Sequence, residues 1–260
     1  MAGYDDDLRF AHVLADAADA AAIDRFRARD LSITAKPDLS PVTDADKTVE
    51  ERIRTTLARA RPRDSVLGEE FGGTGSSRRC WVIDPIDGTE NYLRGVPAWA
   101  TLIALMDGND VMVGVVSAPA LNRRWWASIG SGTYTGRSLH SATRCQVSAI
   151  GQVVDAFFSY SGLAEWDSAG RSAQFESLTR ACRRTRAFGD FWSYMLVAEG
   201  AVDVASEPEV NLWDLAAVSL IVTEAGGRFT DLRGNPRPDG GSALATNGLL
   251  HAEALELLTG

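Results

Sequence analysis

Cysteine is scarce in this chain. Three thiols, Cys80, Cys145 and Cys182, are scattered over 260 residues. That is too few for a disulfide framework, and no Cys-x-x-Cys or Cys/His cluster offers a zinc site. Histidine is as rare. His12, His140 and His251 stand in no nucleophile motif, which leaves phosphohistidine or cysteinyl-phosphate chemistry without a carrier and casts these three as packing or surface residues. No apolar run reaches the length of a transmembrane helix, so no membrane partner is expected. The segment Met1-Ala2-Gly3-Tyr4-Asp5-Asp6-Asp7 lacks the basic start of a secretion signal. Basic side chains are in deficit too: 26 Lys plus Arg against 35 Asp plus Glu give a formal charge of -9, a poor match for a nucleic-acid backbone. These absences predict a cytoplasmic protein that binds neither membrane nor nucleic acid.

What remains is an ordinary globular composition, 45% hydrophobic and 23% charged, in a chain long enough for one large or two fused domains. Residues 5–29 read as a helix, with Leu8, Ala11, Ala15, Ala18, Ala22 and Phe26 along one face. Residues 36–41, with two prolines, read as a loop. Thr43 is a good N-cap for a second helix over 44–60, where Val49, Ile53 and Leu57 recur at helical spacing. Strands are expected at 65–68, 80–84, 99–106, 111–117 and 124–128, with a Gly/Ser-rich loop from Phe71 to Arg79. Past residue 140 the pattern alternates. Strand-like runs (152–160, 183–188, 201–206, 228–231, 242–246) are interleaved with helical ones (170–182, 191–199, 213–225, 249–258). The expected organisation is an N-terminal α+β half, 1–140, and a C-terminal α/β half, 141–260, with no flexible linker between them.

The chemistry concentrates in carboxylates at the ends of these elements. Asp84-Pro85-Ile86-Asp87-Gly88-Thr89 follows the apolar run Cys80-Trp81-Val82-Ile83. Carboxylates leaving a buried strand are costly unless a cation meets them, and magnesium prefers such hard oxygen ligands. Asp84 can bridge two ions, Glu69 and Asp87 can serve one each, and the Ile86 carbonyl can add a neutral ligand. Pro85 fixes the turn that lets both aspartates face one point. Backbone N–H groups just beyond can hold a phosphate. Taken singly, each acid has a bland reading: Asp44, Asp46 and Asp214 as first-turn helix acids, Glu69-Glu70 as surface charge, Pro-x-Asp-Gly as a common turn.

Jointly, Gly68-Glu69-Glu70, Trp81-Val82-Ile83-Asp84-Pro85-Ile86-Asp87-Gly88-Thr89-Glu90-Asn91-Tyr92 and Trp213-Asp214-Leu215-Ala216-Ala217 with Glu224-Ala225-Gly226-Gly227 resemble the inositol monophosphatase superfamily of magnesium-dependent phosphomonoesterases. The resemblance spans nearly the whole chain. It implies a layered α-β-α-β-α sandwich, an α+β fold, and a homodimer. It implies two or three Mg2+ ions held by Glu69, Asp84, the Ile86 carbonyl, Asp87 and Asp214, with Asp46 near a weaker third site. Gly88 and Thr89 match the N–H groups that hold the phosphate. Glu69 and Thr89 match the pair that positions and deprotonates the attacking water. The implied reaction is in-line attack by metal-activated water, with no phosphoenzyme.

In that superfamily the segments 186–191 and 207–214 face the leaving group. Asp190 and Glu207 suit a leaving group carrying a cationic amine, and histidinol phosphate has one. Lys36 to Asp44, Ala118 to Trp126 and Gly189-Asp190-Phe191 also resemble histidinol-phosphatases of the actinobacterial type. Histidinol phosphate is therefore the favoured small-molecule phosphate monoester. An inositol-1-monophosphatase or a broad sugar or nucleotide phosphatase is the alternative, and a non-catalytic partner-binding role is a third reading. Asp190 can instead cap the helix at 191–199, Glu207 can accept a substrate hydroxyl, and Arg186 can either contact substrate or hold a neighbouring acid. Glu90 is expected to point outward, and at most one of Trp125 and Trp126 can line a pocket, because alternate strand residues face opposite ways.

Overall fold

The alanine-rich stretch after Tyr4 forms helix α1 (Asp5–Arg25) in the computed structural model, which describes residues 3–28, 30, 33–35 and 41–260. Three aspartates in the first turn complement its positive end. The helix stops short of the expected residue 29 because Phe26 is extended and Arg27 takes a left-handed φ of 65°. Of the expected proline-containing loop over 36–41, all but Pro41 lies outside the described residues. Strands β1 (Ile33–Ala35) and β2 (Pro41–Thr43) pair antiparallel and lead into α2 (Asp44–Ala60). Thr43 caps α2 as expected. Its Oγ1 accepts the Ala45 N–H at 3.0 Å, while the Asp46 carboxylate accepts the Thr43 N–H at 2.9 Å. Val49, Ile53 and Leu57 are buried, as their spacing predicts.

The large sheet is built from β3 (Ser65–Gly68), β4 (Gly72–Thr74), β5 (Arg79–Asp87), β6 (Ala100–Asp107), β7 (Asp110–Ala118), β8 (Arg123–Ser128), β9 (Thr133–Gly136) and β10 (Ala142–Arg144), with a short helix, α3 (Thr89–Leu93), after β5. Its strand order is β10-β9-β8-β7-β6-β5-β3-β4. Only β3 and β5 run parallel. Two features differ from the sequence reading. The Phe71–Arg79 segment, expected as a loop, contributes β4, whose glycine-rich backbone pairs with β3. The pair β9 and β10 extends the far edge through residues too polar to register as strands.

The second sheet takes β11 (Phe157–Ser159), β12 (Arg184–Arg186), β13 (Val204–Glu207), β14 (Arg228–Thr230) and β15 (Ala243–Thr246), in the order β12-β11-β13-β15-β14. Helices α4 (Ala164–Ser168), α5 (Ser172–Ala181), α6 (Asp190–Ala198), α7 (Leu212–Glu224) and α8 (His251–Thr259) alternate with these strands. The expected strand over 152–160 is shorter, because a 3-10 turn at Val153–Asp155 precedes β11.

Five layers result. Helices α1 and α2 cover one face of the large sheet, burying Leu14, Ile53, Trp81, Ile103 and Trp126. Helices α6 and α7 lie between the two sheets with Trp125, Phe191, Met195 and Leu215. Helices α5 and α8 close the outer face around Phe158, Trp166, Leu244 and Leu258. This is the expected α-β-α-β-α sandwich. The tryptophans alternate as β8 requires: Trp125 enters the central layer and Trp126 the outer one, and neither lines the site described below.

Helix α7 has almost no polar face because both sheets pack on it. It approaches the large sheet so closely that a Cβ on Gly114 of β7 would lie 2.7 Å from the Ala217 carbonyl. It ends as its Gly-Gly pair predicts. Gly226 takes φ 93° and donates to Thr223, and Gly227 donates to Val222, the two bonds of a Schellman stop.

Candidate active site

Strand β5 leaves the sheet through Asp84-Pro85-Ile86-Asp87, and its ladder with β6 shifts register between Asp84 and Asp87. Strict alternation is lost there, so both carboxylates turn to one point. Helix α7 brings in Asp214. Ligand atoms of Asp84, Asp87 and Asp214 all lie within 4.8 Å of one another. Asp84 is 1% exposed and its Oδ1 has no hydrogen-bond partner.

Burial pushes the Asp84 carboxyl well above the usual carboxylate range, and the charges of Glu69, Asp87 and Asp214 push the same way. Asp87 is raised by burial and then by Asp190 and Asp214, against the stabilising N–H of Phe191. Burial carries Asp214 to about 7, with the Asn211 N–H opposing and Glu69 and Glu207 adding to the rise. Acids that hold protons this tightly are a site short of positive charge. An all-oxygen set with one orphaned carboxylate oxygen fits a hard divalent cation such as Mg2+. The Ile86 carbonyl accepts the Thr89 hydroxyl at 3.0 Å, and a carbonyl oxygen has a second lone pair that a ligand can use.

Asp46 and Asp214 hold the same position, third in their helices, and each reaches back to the N-cap. Asp214 Oδ2 accepts the Asn211 N–H at 2.7 Å. Asp46 Oδ2 accepts both the N–H and the hydroxyl of Thr43, at 2.9 and 2.6 Å. The helix-acid reading and the site reading are thus compatible for Asp214. Asp46 lies outside the tight trio. Burial lifts it to about 6, Thr43 opposes, and Glu70 and Glu69 add to the rise.

Gly88 stands at the start of α3 with φ 81°. A Cβ there would meet the Ala98 carbonyl at 3.0 Å and Asp190 Oδ2 at 3.2 Å. The first N–H groups of α3 have no acceptor within the helix, and they follow directly on the acidic turn. Glu90 is exposed and points outward, as expected.

The residues expected to face the leaving group divide. Asp190 does not cap α6. Gly189 holds that position, and Asp190 itself adopts φ 49°. Its Oδ2 accepts from Asn91 Nδ2 at 3.3 Å, and its N–H donates to Ser161 Oγ at 3.0 Å. Burial pushes Asp190 to about 7, with Glu207, Asp214 and Glu165 adding to the rise. Both Glu207 oxygens are engaged, by the hydroxyls of Ser161 and Tyr194. Arg186 is exposed on β12 and donates to the adjacent Thr185 carbonyl at 2.8 Å. Among the described residues it is tied to none of these acids. The sequence reading gives no role to Ser161, Tyr194 and Glu165, which stand in no motif, and names Asn91 only as part of the acidic turn's motif, because their partners are reached only across the folded elements. Of the histidines, His12 and His251 are buried and pushed down to about 4, first by burial and then by a neighbouring arginine charge; His140 is exposed.

Comparison with known proteins agrees with this geometry. Residues 4–259 match the family model described as the inositol monophosphatase family. A histidinol-phosphatase of Streptomyces coelicolor is 61% identical, over 99% of this chain and 98% of that protein. A histidinol-phosphatase of Mycobacterium tuberculosis is 55% identical, over 97% and 98% respectively. The solved inositol monophosphatase of Zymomonas mobilis superposes with a TM-score of 0.87 at 30% identity, over 99% of each chain. With the family model matched from residue 4 to residue 259 and relatives this similar along nearly their whole length, the chain belongs to the inositol monophosphatase family.

Proposed function

We propose that this protein is a Mg2+-dependent phosphomonoesterase that hydrolyses L-histidinol phosphate to L-histidinol and phosphate. The observation that carries the reading is the second acidic group, Asp190 with Glu207, beside the trio of Asp84, Asp87 and Asp214. A phosphate ester needs cations at one end of the site. A carboxylate pair at the other end favours a leaving group that carries an ammonium. The two relatives named histidinol-phosphatase support the same choice.

Glu69, Asp84, Asp87, Asp214 and the Ile86 carbonyl would hold two ions, with Asp46 beside a weaker third. Bound Mg2+ supplies positive charge to the phosphate and lowers the pKa of water. The chain's own groups do the rest. Gly88 and Thr89 orient the phosphate through backbone N–H groups that need no reorganisation. Glu69, paired with Thr89, aligns the attacking water and takes its proton. The water oxygen joins phosphorus, the bond from phosphorus to the ester oxygen breaks, and the departing alkoxide takes a proton from solvent water, to which the proton held by Glu69 is returned. Asp190 holds the substrate amine, and Glu207, positioned by Ser161 and Tyr194, deepens the negative field behind it. Residues 1–140 would then carry metal and phosphate, with 141–260 completing the leaving-group pocket. The reading extends to a cytoplasmic homodimer. No helix among the described residues is long and apolar enough to cross a membrane.

The deciding experiment measures Mg2+-dependent phosphate release from histidinol phosphate and from inositol 1-phosphate side by side. A clear preference for histidinol phosphate is expected. A preference for the inositol ester would make the protein an inositol monophosphatase in activity as well as in family.

A further inference from the structure

Glu50 has no part in the reaction as described, yet its carboxylate is completely buried. It projects from α2, one turn past Asp46. Its Oε2 accepts the backbone N–H of Glu70 at 2.7 Å. Its Oε1 accepts the N–H of Phe71 at 3.2 Å and Nε of Arg54 at 2.7 Å. Arg54 closes the other side, donating from Nη2 to the Gly72 carbonyl. Three successive residues after Glu69 are thereby tied to one helix. On the near side the fit is tighter still. A Cβ on Gly68 would lie 2.0 Å from Glu50 Oε1, so the carboxylate fills the space that a side chain before Glu69 would take. The N–H of Glu69 itself stays in the sheet, donating to the Ile83 carbonyl at 3.2 Å.

Glu69 is thus gripped from both sides, by the β5 ladder and by a buried ion pair. An apolar residue at position 50 would fill the volume without the cost of burying a charge. It could not accept two consecutive N–H groups, and it would leave Arg54 without its carboxylate partner. A carboxylate is what the turn after Glu69 requires, and metal sites tolerate only small displacements of their ligands. We infer that the Glu50–Arg54 pair is a positioning clamp that sets the Glu69 carboxylate for divalent-cation binding and water alignment. This rests on the metal-site reading given above.

The test uses the whole protein, stripped of metal, with Mn2+ as the probe. Binding is followed by the electron paramagnetic resonance signal of free Mn2+, and thermal unfolding of the metal-free protein is recorded beside it. In Glu50→Gln the amide turns a donor toward donors. The Mn2+ dissociation constant is expected to rise about 10-fold or more, the range for losing an outer-shell partner, and kcat to fall with KM nearly unchanged. Arg54→Gln, at a half-buried position, and Gly68→Ala, which displaces the carboxylate, should shift Mn2+ binding the same way. They keep the test open should Glu50→Gln fail to fold. Wild-type Mn2+ affinity in all folded variants, whatever their melting temperatures, overturns the clamp and leaves Glu50 a purely structural acid. If the wild-type protein takes up no Mn2+, the metal site itself is refuted, and the clamp with it.

Discussion

The backbone N–H of Phe191 donates to Oδ2 of Asp87 at 2.7 Å. One bond thereby joins the acidic turn at the end of β5 to the first turn of α6. The residue before Phe191 is Asp190, so the helix start that orients the Asp87 carboxylate also presents the carboxylate proposed to hold the substrate amine.

Asp87→Asn keeps this bond through the amide oxygen but removes the charge. Phosphate release should fall by more than the roughly 10–100-fold cost of an outer-shell partner. The metal-free protein should unfold at the same temperature or higher, because burial and the neighbouring Asp190 and Asp214 already oppose ionisation at Asp87. Parallel activity and thermal-melt measurements check both halves. Normal turnover would remove Asp87 from the metal site.

Asp190→Asn should separate substrate classes. Loss of a charge-assisted hydrogen bond to an ammonium costs about 1.5–3 kcal/mol, or roughly 10–100-fold in kcat/KM. The loss is expected for histidinol phosphate and not for a neutral ester such as glycerol phosphate. Equal losses on both would show that Asp190 supports the pocket without reading the amine.

The metal-free protein should be sensitive to rising pH. Asp190 and Asp214 have folded-state values of about 7 against an ordinary 3.8. Between those values the folded state binds more protons than the unfolded chain, so unfolding free energy falls as pH increases. This contribution is complete below about pH 4 and is lost as pH climbs through 7. Melting curves in a chelator should show the decline from these groups, and added Mg2+ should flatten it. A chelated protein whose stability rises through that window would contradict the site's electrostatics.

Thr43→Ala removes the cap of α2 and strips Asp46 of one of its two donors from Thr43. The expected cost is about 1–2 kcal/mol, a fall of roughly 2–8 °C in melting temperature for a chain of this size. Calorimetry checks it.

Gly114→Ala tests the contact between α7 and the sheet. The added methyl must push against the Ala217 carbonyl, at a cost of about 1–3 kcal/mol. Because α7 also carries Asp214, Mn2+ affinity should weaken along with stability. A destabilised variant with unchanged Mn2+ binding would show that the helix shifts without moving its N-terminus.

The sequence was most informative where chemistry and local structure coincide. Asp84, Pro85 and Asp87 sit on one strand end, and Thr43 before its helix is a purely local signal. Asp214, far along the chain, was found only through the family resemblance, since nothing near it distinguishes a metal ligand from a helix-capping acid. It is in fact placed like a capping acid. Glu50 was invisible because a glutamate four residues before an arginine on a polar helix reads as solvent-facing; only the backbone of the following turn reveals where it goes. Glycine and serine have little strand propensity, so the β4 segment reads as loop, and the pairing with β3 and the grip of Arg54 override that preference. Ser161 and Tyr194 gave no signal at all, because their partner Glu207 is reached only when the second sheet is assembled.

Gly88 and Asp190 come from different layers, yet a Cβ on the one would lie only 3.2 Å from the carboxylate of the other. The two positions therefore cannot be redesigned independently. A side chain placed at 88 would press on both the Ala98 carbonyl and the Asp190 carboxylate and would need a left-handed φ, so a substitution there acts on position 190 as well as on its own turn. An effort to retune the protein toward uncharged esters should begin at 190 and leave 88 as glycine.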